Sequence, residues 1–74
     1  MPYRIVFVEL ADATAKADKV DLTLDDLKTA DACVQAIQRA HNARAARGRR
    51  ALHPGVAGND VVDSATGEIL CVPV

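Results

Sequence analysis

The stretch that decides the fold is residues 61–72, with the sequence VVDSATGEILCV. Two apolar runs flank the turn-forming segment 63–67. Asp63 enters this segment, and Gly67 stands where the backbone needs a positive φ, as in a type I turn closed by a glycine bulge. The pattern predicts an antiparallel β-hairpin.

The strands next to this hairpin are apolar on both faces. Strict alternation places the side chains of Leu70 and Cys71 on opposite faces of the last strand. Residues 3–10, YRIVFVEL, have the same two-sided pattern, which predicts a strand that is central or covered twice. Residues 20–22 alternate apolar and charged and predict a short partner strand, after a polar turn. Because Pro73 cannot donate to a central ladder, we expect the chain end at a sheet edge.

One helix is predicted between these strands and the hairpin. Thr23 is a suitable N-cap, with Asp26 at the capping-box position. The apolar stripe, at steps of three and four, consists of Leu27, Ala30, Cys33, Val34 and Ile37. His41 and Arg44 continue it as polar residues, so we expect the last two turns to extend beyond the sheet, and Gly48 to end the helix.

Residues 48–60 are predicted to form a mobile surface loop, because Pro54, Gly55 and Gly58 interrupt regular structure. Residues 1–74 are then a single α+β domain. We expect a small antiparallel-dominated sheet of three to four strands, in the order β-(β)-α-β-β, with one long helix packed on one face. One helix cannot cover both faces of such a sheet, so either the sheet has few strands and is strongly twisted, or a second copy covers the bare face. We favour the second alternative and expect a homodimer at micromolar concentration.

The composition limits the size of the core and the location of the protein. Half of the 74 residues are nominally apolar, but 14 of those are alanine. A chain this short cannot build the second layer and deep cleft of most enzymes. No apolar stretch approaches the roughly 20 residues that span a bilayer, and the N-terminus does not resemble a secretory signal. We therefore expect a cytoplasmic protein that does not bind membranes, with Cys33 and Cys71 reduced.

Residue patterns that carry chemistry are missing. Ser64, the only serine, lies on the hairpin turn, and Cys33 lies on the buried helical stripe. His41 and His53 are twelve residues apart with no cysteine near either, which does not fit a zinc site. A glycine loop that could hold a phosphate is also missing. We predict no metal, no cofactor and no enzymatic activity.

Charge is segregated along the chain. Residues 1–38 carry four cations and seven anions, residues 39–53 carry five cations and no anion, and residues 54–74 carry three anions. The candidate binding residues come from the basic block and from the acidic stretch before it: Arg39, Arg44, Arg47, Arg49, Arg50, His41, Asp21 and Asp25. Arginine late in a helix also interacts favourably with the helix dipole, and aspartate does so early in a helix.

Two functions fit this pattern. The first is a non-catalytic protein-interaction module, such as an inhibitor or accessory subunit that acts by steric and electrostatic occlusion. In size the chain is similar to small phage and mobile-element inhibitors of host machinery, anti-CRISPR proteins among them, although no motif carries this likeness. The alternative is a small nucleic-acid-binding protein that uses the arginine block 39–50. The near-neutral net charge of −1 and the lack of aromatic residues near the block favour the first function.

Overall fold

The structure is a computed structural model that describes residues 2–11, 22–46 and 48–74. Its elements, in chain order, are β1 (Tyr3–Ile5), α1 (Val8–Ala11), a 3-10 turn (Asp25–Leu27), α2 (Ala30–Ala46), β2 (Pro54–Ala57), β3 (Asp60–Asp63) and β4 (Ile69–Pro73). The four strands form one antiparallel sheet in the order β1-β4-β3-β2, and α2 contacts β2 and β3. The predicted α+β architecture, a small antiparallel sheet with one long helix, is confirmed.

The predicted hairpin joins β3 to β4. The Asp63 carbonyl accepts hydrogen bonds from the N–H groups of Thr66 at 3.2 Å and Gly67 at 2.7 Å. The Asp63 N–H donates to the Glu68 carbonyl at 2.8 Å. Gly67 has a φ of 81°, a conformation that strains residues with a Cβ atom. The hairpin thus depends on Asp63 and Gly67, the two residues that predict it.

A bulge interrupts the ladder between β3 and β4. Val61 is opposite Cys71, and Val62 is opposite Ile69, so Leu70 is an extra residue in β4. A bulge can turn two consecutive side chains to the same face of a sheet. Leu70 and Cys71 are both fully buried in one core cluster. The expectation that these two side chains lie on opposite faces is therefore wrong.

Pro73 ends β4, which is a central strand and not the expected edge strand. Tyr3 is opposite Pro73, and the Val74 N–H donates to the Pro2 carbonyl at 2.9 Å. Tyr3 and Pro73 therefore form a non-hydrogen-bonded pair, in which β1 needs no donor from the proline. On the other side of β4, strand β3 does not extend past Asp60. Proline is tolerated in this central strand because no ladder bond requires its missing N–H.

The strand predicted at residues 3–10 is shorter than expected and is not central. β1 ends at Ile5 and is an edge strand. After Ile5, the Leu70 carbonyl accepts hydrogen bonds from the N–H groups of both Val6, at 3.0 Å, and Phe7, at 3.2 Å, and the ladder ends there. The helical turn α1 follows, and its Leu10 enters the core. The apolar residues on both faces of this segment thus reflect a short strand followed by a helical turn.

The start of the predicted helix is divided into two elements. The Thr23 N–H donates to Asp26 Oδ2 at 3.0 Å, and the Asp26 N–H donates to Thr23 Oγ1 at 3.3 Å. This capping box precedes the 3-10 turn and not the long helix. α2 begins at Ala30, and Thr29 Oγ1 caps it by accepting the Ala32 N–H at 3.0 Å.

The predicted end of the helix is confirmed. Gly48 has a φ of 75°, and its N–H donates to the Ala45 carbonyl at 3.1 Å. The Arg49 N–H donates to the Arg44 carbonyl at 2.9 Å. These two bonds form a Schellman motif, in which glycine adopts the left-handed conformation just after the helix.

Residues 48–60, predicted as a loop, contain strand β2. It pairs with β3 from Pro54, opposite Asp63, to Ala57, opposite Asp60. Pro54 is the first residue of an edge strand, where proline is tolerated. The loop prediction is therefore wrong for this strand. The expected first hairpin, at residues 12–22, lies outside the described residues except for Leu22, which packs against the core.

The helical elements of the described ranges all pack on the same side of the sheet. The core cluster consists of Leu10, Cys33, Ile37, Leu52, Val61, Leu70 and Cys71, and Leu27 of the 3-10 turn packs against it. The stripe of α2 does not stop at Ile37, because Arg44 is only 1% exposed. The expectation that the last two helical turns extend beyond the sheet is therefore wrong.

Candidate interaction surface

The arginine block does not form one surface. Arg47 lies outside the described residues, and Arg44 is buried. Arg39, Arg49 and Arg50 are exposed. Burial therefore removes Arg44 from any basic surface that the exposed arginines form.

Arg44 joins three parts of the molecule from inside the fold. Its guanidinium Nη2 pairs with Glu9 Oε2 of α1 at 2.5 Å, and its Nε donates to the Arg50 carbonyl at 3.1 Å. The arginine side chain is 2% exposed and the glutamate side chain is 45% exposed. An arginine in this position cannot reach a partner, so Arg44 leaves the set of candidate binding residues.

Arg39 connects α2 to the 3-10 turn. Its Nη2 lies 3.1 Å from Asp26 Oδ1. The pKa of Asp26 is lowered, mainly because the Thr23 N–H donates to this carboxylate and further because Arg39 also donates to it. The pair is exposed enough for solvent to screen it, so its contribution to stability is small.

Arg50 is held between a carboxylate and an aromatic ring. Its Nη1 lies 2.7 Å from Glu68 Oε1, and its guanidinium carbon lies 5.4 Å from the centre of the Phe7 ring. This is the geometry of an ion pair combined with a cation–π contact. The cation therefore stabilises the fold where the end of α2 meets the hairpin.

The remaining predicted site residues are also dispersed. His41 Nδ1 donates to the Leu52 carbonyl at 2.9 Å, and its ring lies 5.2 Å from that of His53. Asp25 is exposed and pairs with Lys28 at 3.0 Å. Asp21 lies outside the described residues. His41 thus connects α2 to Leu52, and of the two aspartates the structure places only Asp25, on the surface of the 3-10 turn.

Cys33 of α2 and Cys71 of β4 are free thiols that lie next to each other in the core. Both are fully buried. Burial raises the pKa of both thiols, that of Cys71 to about 12, and the neighbouring Cys33 adds to this shift. A thiol with such a high pKa is almost entirely protonated at neutral pH, which makes it a poor nucleophile.

Asp63 is a buried carboxylate whose main role is in the turn. Its Oδ1 accepts the Ala65 N–H at 2.9 Å. Its Oδ2 is the only buried side-chain polar atom in the described ranges that has no hydrogen-bond partner. The same ranges contain no pocket and no group of three or more residues that could ligate a metal.

The sheet face opposite the helices is the remaining candidate surface. Partners across antiparallel strands share a face. Val61 and Cys71 belong to the core side, so their neighbours Val62 and Val72 lie on the other side. We call this side the outer face and define it by Arg4, Ala57, Asp60, Val62, Ile69, Val72 and Val74.

The outer face is apolar along its centre. Ile69 is 47% exposed, and Val74 is 73% exposed. Val62 and Val72 are half-buried, but they are not among the side chains packed against the core cluster. Each helical element contributes to the core on the opposite side, so no helix of the described ranges covers these side chains.

Two charged residues flank this apolar centre, and neither is among the binding residues predicted from the sequence. Arg4 lies opposite Val72, and Asp60 lies opposite Ala57. Within the described part of the chain, Arg4 and Asp60 make no ion pair or side-chain hydrogen bond. Arg4 alternates with Tyr3 and Ile5 in β1, and this alternation is the signal that could have placed it on the outer face.

Comparison with known proteins gives no relative for this chain: no family model, no curated protein and no solved structure matches it. No helix in the described ranges is both long and apolar enough to cross a membrane.

Proposed function

We propose that the protein is a non-catalytic protein-interaction module and that the outer face is its contact surface. The observation that carries this proposal is the apolar centre at Val62, Ile69 and Val72, which no helix of the described ranges covers. Exposed apolar patches bordered by polar residues are typical of protein–protein contact sites. Occluding a partner's surface requires only shape and charge, which a domain of 74 residues can supply.

In its finer form, the proposal is a cytoplasmic inhibitor or accessory subunit that acts by occlusion. The alternative function, nucleic-acid binding by the block 39–50, has less support. Arg39, Arg44 and Arg50 each pair with an acid of the same chain. An arginine that is already neutralised would release fewer counterions on binding a phosphate backbone, which weakens the electrostatic contribution to affinity.

A capture experiment with two matched variants tests the proposal. Ile69→Glu places a charge on the outer face, whereas Val56→Glu places the same charge on the other side of the sheet, opposite Val61. The two side chains have similar exposure, 47% and 52%. We expect the wild-type protein and Val56→Glu to capture the same protein from a cytoplasmic extract, and Ile69→Glu to lose it.

The same capture is repeated with nuclease. A partner that remains after nuclease treatment and is lost only with Ile69→Glu supports contact through the outer face. A partner that disappears with nuclease, together with salt-sensitive binding of free duplex DNA, would support the nucleic-acid function. Equal capture by both variants would show that the outer face is not the contact surface.

A further inference from the structure

We propose that the outer face binds the outer face of a second copy of this chain, in a two-fold dimer whose axis is parallel to β4. This inference rests on the proposed function, because it assigns a second copy of the chain as one occupant of the same surface. It depends on the order of residues across the sheet, which is complementary to itself.

The charged and apolar residues form a row across the strands. Arg4 is opposite Val72 in the pair β1–β4. Val61 pairs with Cys71 in the antiparallel pair β3–β4, so the preceding residue of β3, Asp60, lies beside the following residue of β4, Val72. The row is therefore cation, valine, anion, with neighbouring strands about 4.8 Å apart. Arg4 and Asp60 lie at about equal distances on opposite sides of Val72.

A two-fold axis parallel to β4 places the row of one copy against the same row of the second copy in reversed order. Rotation about that axis exchanges the two sides of β4, so the anion of one copy faces the cation of the other. Arg4 then meets Asp60 of the second copy, and Asp60 meets its Arg4, while Val72 meets Val72. This reciprocity is what a two-fold interface requires. Each dimer has two such ion pairs, and each outer-face charge gains a partner.

The residues on the axis are apolar. Because the bulge turns Leu70 and Cys71 to the core, Ile69 and Val72 both lie on the outer face, and Val74 follows by alternation. These three side chains lie along the central strand and would each meet the same residue of the second copy. Stacked sheets lie about 10 Å apart, a gap that an arginine and an aspartate side chain together can span.

The size of the face sets the expected affinity. Four strands of about four residues span roughly 19 by 13 Å. This is less than the roughly 800 Å² that each partner contributes to a standard stable interface. We therefore expect dissociation constants in the micromolar range, about 10–100 μM. The contact would form at moderate concentration and remain reversible.

Exchange of the two charges tests this geometry. Arg4→Asp gives an outer face with two anions, and Asp60→Arg gives one with two cations. Each variant alone places like charges opposite each other, so sedimentation equilibrium should show self-association at least about 10-fold weaker than that of wild type. Mixed in equal amounts, the two variants should form a heterodimer about as tight as the wild-type dimer.

A control variant separates this effect from a general change in net charge. Lys28→Asp changes the charge by the same amount as Arg4→Asp, but it lies on the 3-10 turn and 72% of the lysine side chain is exposed. It should associate like wild type. Circular dichroism checks that every variant is folded.

Three outcomes would overturn the inference. They are a wild-type protein that stays at 7.8 kDa up to about 1 mM, single charge variants that associate as wild type does, and a mixture with no heterodimer. The proposed function can survive this failure: if capture of another protein is still lost with Ile69→Glu, the outer face is a contact surface for that protein. If Ile69→Glu also has no effect on capture, the proposed function fails as well.

Discussion

At the scale of single residues, Arg44 links α2 to α1 and to the segment that follows α2. Its position on the helical stripe, three residues after His41, buries its side chain. There it meets Glu9 of α1 and the carbonyl of Arg50. The arginine stem fills volume that an apolar side chain would otherwise fill, and the charged end is hydrogen-bonded.

Replacing Arg44 should therefore destabilise the protein far more than replacing the exposed Arg39. We expect Arg44→Ala to lower the free energy of unfolding by roughly 2–4 kcal/mol, because it opens a cavity and leaves Glu9 and a carbonyl without their donor. Arg39→Ala, which breaks an exposed ion pair, should cost less than about 1 kcal/mol. Urea denaturation measures both values. Equal midpoints for the two variants would contradict the buried position of Arg44.

Because of the two buried thiols, we expect the free energy of unfolding to depend on pH in the alkaline range. The pKa of Cys71 is raised to about 12 by burial and by the neighbouring Cys33. An unfolded cysteine loses its proton near pH 8.5, so above that pH the folded chain holds a proton that the unfolded chain has released. The stabilisation is complete below about pH 8.5 and decreases as the pH rises toward 12.

We expect the free energy of unfolding to fall by up to about 1.4 kcal/mol per pH unit between pH 9 and 11 because of Cys71 alone. Cys71→Ala should show a shallower decrease over the same range, whatever its stability at neutral pH. Urea titrations at four pH values measure the two slopes. Parallel slopes would show that Cys71 does not titrate differently in the folded and unfolded chains.

At the scale of secondary-structure elements, the sequence predicts the parts whose signals are local. The hairpin at Asp63–Gly67 and the helix end at Gly48 depend on one or two residues with special backbone conformations, and both are confirmed. The predictions of a long N-terminal strand and of a loop before the hairpin were wrong, because the structure of both segments depends on partners that are distant in sequence. β1 ends where the Leu70 carbonyl takes two N–H groups, and β2 exists because β3 lies beside it.

The different burial of Ile37 and Val34 on the helical stripe predicts different stability losses when each is replaced by alanine. Ile37 is fully buried, whereas Val34 is half-buried. Ile37→Ala should cost roughly 3 kcal/mol, since it leaves a cavity between the helix and the sheet, and Val34→Ala about 1 kcal/mol. Thermal and urea unfolding of both variants measure the difference. If Val34→Ala were the more damaging change, the helix would have to be rotated from the orientation described.

At the scale of the whole molecule, the helices of the described ranges all lie on one side of the sheet. The sequence predicts apolar residues on both faces of the last strand, and β4 has them, although the bulge changes which residues lie on which face. The residues of the outer face could not be predicted, since the order β1-β4-β3-β2 alone brings Arg4, Val72 and Asp60 into one row. Three arginines of the predicted block, Arg39, Arg44 and Arg50, pair with acids elsewhere in the chain, and such pairing could not be predicted from closeness in sequence.

Methyl NMR over a concentration series tests most directly whether the outer face is the contact between two copies. Spectra recorded from about 5 μM to 1 mM span the expected dissociation constant. We expect the methyl signals of Val62, Ile69 and Val72 to shift with concentration along a single binding curve, while those of Ile37 and Leu52 in the core do not shift. Signals that stay unchanged over this range, or shifts that occur on α2 instead, would contradict contact through the outer face.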